Sequence, residues 1–464
     1  MLGVLYHRPS IARPRADRWT RPVDGASLGV FRIAFGLVGL LSVVRLIDRG
    51  WATTRYAGPT HRFTYLGFGW VPKPSPAGML VLLAVVGVAA ALVAVGWHYR
   101  PAIATFFLGF TWIELIDVTT YLNHYVFVSL MAFLLCFLPA DASLSISARR
   151  SGERTVAVGV LWLLRAQVGV VYVFAGIAKL HGDWLVHALP LRLWLPALDG
   201  LGPFDGLLEQ RWTAHALALA GAVFDCTIVV LLLWRRTRLF AFVAVVVFHV
   251  VTWRLFPIGV FPWLMVAGAT LFFTPGWPRR QGWGRWLRSR PPNEADAEPD
   301  DAGSPRTLSR AQRLAVVAGL AWVVLQVVFP LRHLLYPGDA RWTNEGYRFS
   351  WNVLAVERAG DVTFRLTDPV TGEAWTDDAR ALYTADQWRL MATEPDLIHQ
   401  AALELARAAR EAGHSAVQVR ADAYVSLNGR PAAPFIDPTV DLAAERRDVW
   451  HDGWIEPAPS TPAP

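Results

Sequence analysis

The 464 residues are 54% hydrophobic and only 17% charged, with a mean hydropathy of +0.32. That is more apolar surface than a soluble chain of this size could cover, so a soluble enzyme is excluded. The net charge of +7 divides into +14 over residues 1–331 and −7 over 332–464. Because the positive groups sit in short clusters between apolar runs, the positive-inside rule accounts for them, and no nucleic-acid partner is expected.

The N-terminal segment 1–27, which contains RPSIARPRADRWTRPVDGAS, is basic. It lacks a short apolar run with a small-residue cleavage site, so the first helix is expected to be a retained anchor. Apolar segments then recur at 28–47, 78–96, 101–119, 124–138, 156–178, 214–233, 239–256, 258–274 and 314–331. A bilayer span needs roughly 17–25 residues; the fourth and eighth segments are short, and only Pro257 separates the seventh from the eighth. The expected fold is an all-α polytopic membrane bundle of eight or nine helices, built from 28–274 and a last helix at 314–331. Nine spans with the N-terminus inside put 19 Lys and Arg in the inner segments and 7 in the outer ones. The chain is therefore read as a multi-pass cell-membrane protein with a cytoplasmic N-terminus.

Residues 275–313 read as a cytoplasmic linker, Pro- and acid-rich over 288–310. Residues 332–456 change character and are expected to form a small α+β extracytoplasmic domain. Within it, YRFSWNVLAVE, DVTFRLTD and AVQVRADAYVSLNG alternate like strands, and 395–412 has helical amphipathicity. The tail 457–464 is Pro-rich and expected to be disordered. Cys136 and Cys226 both fall in apolar runs and read as small core residues, with no disulfide framework or CxxC metal site; no metal is expected.

Ionisable side chains inside membrane spans are expensive and are functional candidates by default. They are Arg32, Glu114, Asp117, His124, Arg165, Lys179, Asp225 and His249. The bland alternative is that they pair with one another and hold the bundle together. Arg32 and Arg45 either snorkel or pair with those acids. Lys179 stands apart because the chain has 42 Arg and just two Lys, Lys73 and Lys179. A lysine can give up its proton on desolvation where an arginine stays charged, although a lysine at a helix end can also simply snorkel. Arg165, Tyr172 and Lys179, spaced by seven, fall on one stripe of the fifth helix, beside Gly169 and Gly176. Asn123 and His124 open the fourth helix, and His249 lies in the outer half of the seventh, so these groups are expected to converge near the outer leaflet. GxxxxGK[ST], GxSxG and HExxH are absent. GVAAALVAVG (87–96) lies within a span and reads as helix packing. Asp437-Pro438 and Asp441 read as a turn before a cation site.

Several linked segments carry a resemblance. RPVDGASLGVFRIAFG (21–36), YLNHYVF (121–127), RAQVGVVYVFAGIAKLHGDW (165–184) and FHVVTWRLFPIGVF (248–261) resemble the transmembrane region of vitamin K-dependent gamma-carboxylases. LLYPGDARWTNEGYRFSW (334–351) and YVSLNGRPAAPFIDPTVDL (424–442) resemble the outer domain of the same family. The resemblance implies an enzyme that couples oxidation of reduced vitamin K by O2, giving the epoxide, to addition of CO2 at the γ-carbon of a peptide glutamate. It implies Lys179 as the catalytic base, and Asn123, His124 and His249 at the quinone site; Tyr172 and Arg165 are grouped with them from the stripe. Animal members carry two adjacent lysines where this chain has Ala178 and Lys179. The implied cofactor is reduced vitamin K, as phylloquinol or menaquinol, and the bacterial character of the composition favours menaquinol. The implied partners are a glutamate-containing peptide or protein and membrane lipid. A non-carboxylating quinol oxygenase or epoxidase, and a transporter or lipid-binding scaffold, stand as the alternatives.

Overall fold

A computed structural model describes residues 17–198, 202, 205–281 and 308–460. Residues 1–16, nearly all of the expected 288–310 linker and the last four of the expected tail lie outside it. The chain is mostly helical, with a small sheet in its C-terminal region.

Each apolar segment forms a helix: α1 (Ala26–Asp48), α2 (Pro76–Val95), α3 (Tyr99–Leu115), α4 (Asn123–Phe137), α5 (Val158–Ile177), α6 (Arg211–Leu233), α7 (Arg238–Leu255), α8 (Phe261–Thr270) and α9 (Arg310–Val328). Among the described residues six are long and apolar enough to cross a membrane: α1, α2, α5, α6, α7, and α9 with its 3-10 continuation to Leu335. The expectation of eight or nine spans is thus met by six; α3, α4 and α8 have 17, 15 and 10 residues. One core joins α1–α8, through Phe31, Phe35, Phe106, Phe110, Phe127 and Met265.

The end of the bundle opposite the sheet is closed by saturated charges. Arg32 is fully buried and donates to four carbonyl oxygens, those of Val93, Ala94, Ala140 and Leu144, at 2.6–3.0 Å. It therefore neither snorkels nor pairs with an acid; it satisfies the carbonyls that the end of α2 leaves open. Gly96 makes this possible, since it turns left-handed (φ +66°) and a Cβ there would stand 2.7 Å from the Arg32 Nη1. Arg279 binds Asp24 at 2.7 Å and also Glu153, tying the segment after α8 to the start of α1.

The C-terminal sheet is antiparallel with order β2–β1–β3–β4, from β1 (Arg358–Thr367), β2 (Ala374–Asp377), β3 (Gln418–Leu427) and β4 (Ala433–Pro434). Val362, Phe364 and Leu366 pair with Ala423, Ala421 and Val419 on one buried face. The alanines leave room for α11 (Pro395–Glu411), which presents Leu397, Ile398, Ala401, Ala402 and Leu405 to the sheet. The short α10 (Ala385–Met391) before it starts with a Thr384/Gln387 capping box.

Two local expectations change and a third holds. YRFSWNVLAVE is not a strand before Arg358 but an irregular segment in which Phe349, Trp351 and Leu354 all have positive φ. Its alternation arises because Trp351 turns away from the sheet into the bundle core beside Phe127, 6.3 Å between rings. Cys226 is exposed on α6 and Cys136 half-buried, so neither is a fully enclosed core residue. Asp437 and Asp441 accept from nearby groups, Thr439 N and Oγ1 for one and Val419 N and Ala443 N for the other, as the turn reading expects.

Candidate functional site

Between α5, α6, α7 and α8 lies a cavity of about 360 Å³, inside the roughly 300–1,000 Å³ range of small-molecule sites. Its walls are almost wholly apolar; the polar side chains that reach it are Tyr172, Lys179, Asp225, His249 and Thr252. Ala220, Ala244, Val247 and Val251 belong to the lining and are exposed, so the cavity opens between α6 and α7 on the apolar flank of the bundle. Val353 and Leu354, from the segment before the sheet, cover the other side.

Lys179 stands just past the end of α5 and is buried. Its Nζ donates to Asp225 Oδ2 at 2.8 Å and to the Ala175 carbonyl at 3.0 Å, and lies 5.2 Å from the centre of the Trp184 ring. Gly176 sets this spacing. A Cβ there would stand 2.8 Å from Cys226 Sγ and 3.0 Å from Cys226 N, so only glycine lets α6 approach closely enough for Asp225 to meet the amine.

Across the cavity, Tyr172 Oη and His249 Nε2 are 2.9 Å apart, and His249 Nδ1 is buried with no partner among the described residues. A buried nitrogen left open in an apolar wall is a ready position for a ligand polar group. Phe224 and Phe248 stack at 3.9 Å beside it.

The other residues named from the sequence lie elsewhere. Asn123 accepts from Tyr121 Oη at 2.7 Å and donates to the Asn352 carbonyl at 3.4 Å. His124 is buried with its Nε2 unpartnered among the described residues; it packs against Phe261 and does not line the cavity. Phe261 packs against both imidazoles, 5.8 Å from the ring of His124 and 6.0 Å from that of His249. Arg165 does not reach the cavity: it binds the Leu271 and Phe273 carbonyls at the opposite end of α5 and lies over Trp162. A spacing of seven fixes the face of a helix but not the depth, and fourteen residues separate Arg165 from Lys179 by about 21 Å. Of the remaining acids, Glu114 accepts from Ser129 Oγ at 2.8 Å, and Asp117 accepts from Thr119 and from Gln387 of α10.

Asp225 is what sequence reasoning passed over as a site residue. A signal existed, since it is the one carboxylate within the four helices α5, α6, α7 and α8 themselves, the other acids of that stretch falling in the segment between α5 and α6. The segment after Lys179 is clamped from the C-terminal region. Asp183 binds Arg430 at 2.6 and 2.8 Å and Asn428 at 2.8 Å. Burial acts to raise its pKa, but these partners hold it at about 2. His181 is bonded to Arg341 and pushed down to about 4, by burial first and then by that guanidinium.

Two family models match the chain. One, described as the HTTM domain, covers residues 20–277, more than half of the chain. The other, described as the vitamin K-dependent gamma-carboxylase, lumenal domain, covers residues 311–461. No solved structure matches.

Proposed function

The chain belongs to the vitamin K-dependent gamma-carboxylase family and is a multi-pass membrane protein; on that premise we propose that it is a quinol-dependent peptidyl-glutamate carboxylase. Reduced vitamin K, as phylloquinol or menaquinol, would supply with O2 the strong base that takes a γ-proton from glutamate, and CO2 would add at that carbon. The observation that carries this reading is a lone amine and its counter-ion at the edge of an apolar cavity open to the membrane flank. Such a cavity suits a flat aromatic head group with an isoprenoid tail, and the unpartnered His249 Nδ1 offers it a polar contact.

With the quinol bound, Lys179 Nζ would be the group to take its hydroxyl proton, and Asp225 Oδ2, 2.8 Å away, would stabilise the ammonium so formed. Tyr172 orients His249 through the 2.9 Å contact, and together they would stabilise negative charge on a ligand oxygen held in the cavity. Asn123 fixes the segment that carries Val353 and Leu354 over the cavity, which keeps water from the reacting groups. Arg165 has a structural part, bonded to carbonyls at the far end.

In membrane terms we propose nine passes with the sheet region extracytoplasmic. Support comes from the ends of the shorter helices. The loop from α3 to α4 meets the C-terminal region through Asp117 and Asn123, while Tyr99, at the start of α3, donates to Leu135 near the end of α4. The loop after α8 returns to the start of α1, where Ser27 N donates to the Pro275 carbonyl.

The test is labelled-CO2 incorporation into a glutamate peptide by purified protein with menaquinol or reduced vitamin K and O2, epoxide being quantified in the same tubes. Label that disappears in Lys179→Ala is the expected result. Epoxide without label in the native protein would instead identify a quinol oxygenase, and neither product from folded protein would overturn the reading.

A further inference from the structure

Next to Phe261 but outside the cavity lining, the bundle holds a second group of polar atoms that the chemistry above does not use. Arg45, in the last turn of α1, is half-buried, yet no carboxylate pairs with it among the described residues. It lies over the indole of Trp51, 5.4 Å from the ring centre to the guanidinium carbon, an indole shared with Arg49 and Arg55. Arg55 spends its charge on Asp386 at 2.8 Å; Arg45 does not. The Arg45 guanidinium fills the space beside Gly259, in the loop joining α7 to α8, where a Cβ would stand. His124 Nε2 lies 3.4 Å from that same point. That nitrogen is without a partner among the described residues, and His124 is only 7% exposed.

A guanidinium lacking a counter-ion beside an imidazole nitrogen lacking a partner is an incomplete polar arrangement. The planar fork of an arginine completes itself best with a carboxylate, which it can hold through two parallel bonds. We propose that Arg45 and His124 form the seat for the side-chain carboxylate of the substrate glutamate. The inference rests on the reading above and names where its second substrate binds. The seat adjoins the cavity, because Phe261, which lines the cavity, lies 5.8 Å from the ring of His124 and 6.0 Å from that of His249. A glutamate held by Arg45 presents its γ-carbon over Phe261, next to the cavity where the base is generated. The fixed positive charge also opposes the build-up of negative charge when the γ-proton leaves a carbon already beside a carboxylate.

The experiment measures binding directly on the full chain in lipid nanodiscs, without quinol. A peptide with one glutamate is compared with the same peptide carrying glutamine, and carboxylation kinetics are run in parallel. The native chain binds the glutamate peptide more tightly. Arg45→Gln removes that preference, with a loss of about 10- to 100-fold, and raises KM for the peptide. Arg45→Lys keeps the charge but not the fork and falls between. Arg49→Gln, which removes a neighbouring exposed charge from the same indole, binds as the native chain does and controls for loss of net charge. Equal preference in Arg45→Gln and the native chain overturns the seat, as does a native chain that binds both peptides alike. An Arg45-dependent preference in a chain that never incorporates CO2 keeps the seat and overturns the carboxylase reading.

Discussion

The two ends of the bundle treat buried charge in opposite ways. At the end away from the sheet, Arg32 meets four carbonyls and Arg279 meets Asp24 and Glu153. At the end facing the sheet, Arg45 has no acid, and His124 Nε2 and His249 Nδ1 have no partner among the described residues. Desolvated polar groups are costly unless satisfied. The first end meets that demand for its charges from within, with the neutral Ser27 Oγ left unpartnered among the described residues, and is a structural joint, whereas the second leaves charged and imidazole groups open to a ligand. Burial of a charge in a membrane bundle therefore says little about function; what tells is whether its hydrogen-bonding capacity is already spent.

The sharpest way to break this contrast acts on Lys179. Lys179→Arg puts a permanent cation opposite Asp225 and removes the amine that can take a proton; label incorporation should fall by about 10²–10⁴-fold, with little change in melting temperature. Activity within a few-fold of native would mean that the pair is a structural joint like those at the other end. The reverse expectation holds for Arg32. Arg32→Met strips four buried carbonyls of their donor and should destabilise the fold by about 3–5 kcal/mol, seen as a lower thermal midpoint in detergent. Protein that does fold should show an unaltered KM for the glutamate peptide, and a shifted KM would erase the distinction between the ends.

The smallest effect belongs to the C-terminal region. Burial, together with Glu345, Asp396 and Asp448, raises Asp452 to about 7 from 3.8. The folded state thus favours its protonated form, a contribution fully present below about pH 3.8 and lost as pH rises through 7. Asp452→Asn should stabilise the protein at pH 8 by about 1–2 kcal/mol, allowing for solvent screening, and leave it unchanged near pH 4. Melting curves at the two pH values decide this.

The helices were legible because each apolar run is long, and Lys179 because lysine is so rare in this chain. Depth was not legible. Helical spacing put Arg165, Tyr172 and Lys179 on one stripe, yet one of the three serves the opposite end of the helix. Partners were only half legible. Asp225 was visible as a membrane acid, but its meeting with Lys179 depends on Gly176 letting two backbones close together, a three-dimensional fact. The segment 347–357 misled for a related reason: alternation reports two environments in turn, and here one of them is the bundle and not a second sheet face.

The opening between α6 and α7 changes what concentration means for this protein. A lipophilic ligand that enters from the flank is drawn from a two-dimensional pool, so occupancy follows its mole fraction among the lipids and not its amount per litre. Diluting the bilayer with inert lipid at a fixed total quantity should therefore slow the reaction, while diluting the aqueous phase should not. The membrane acts as the reservoir, and its composition sets the supply.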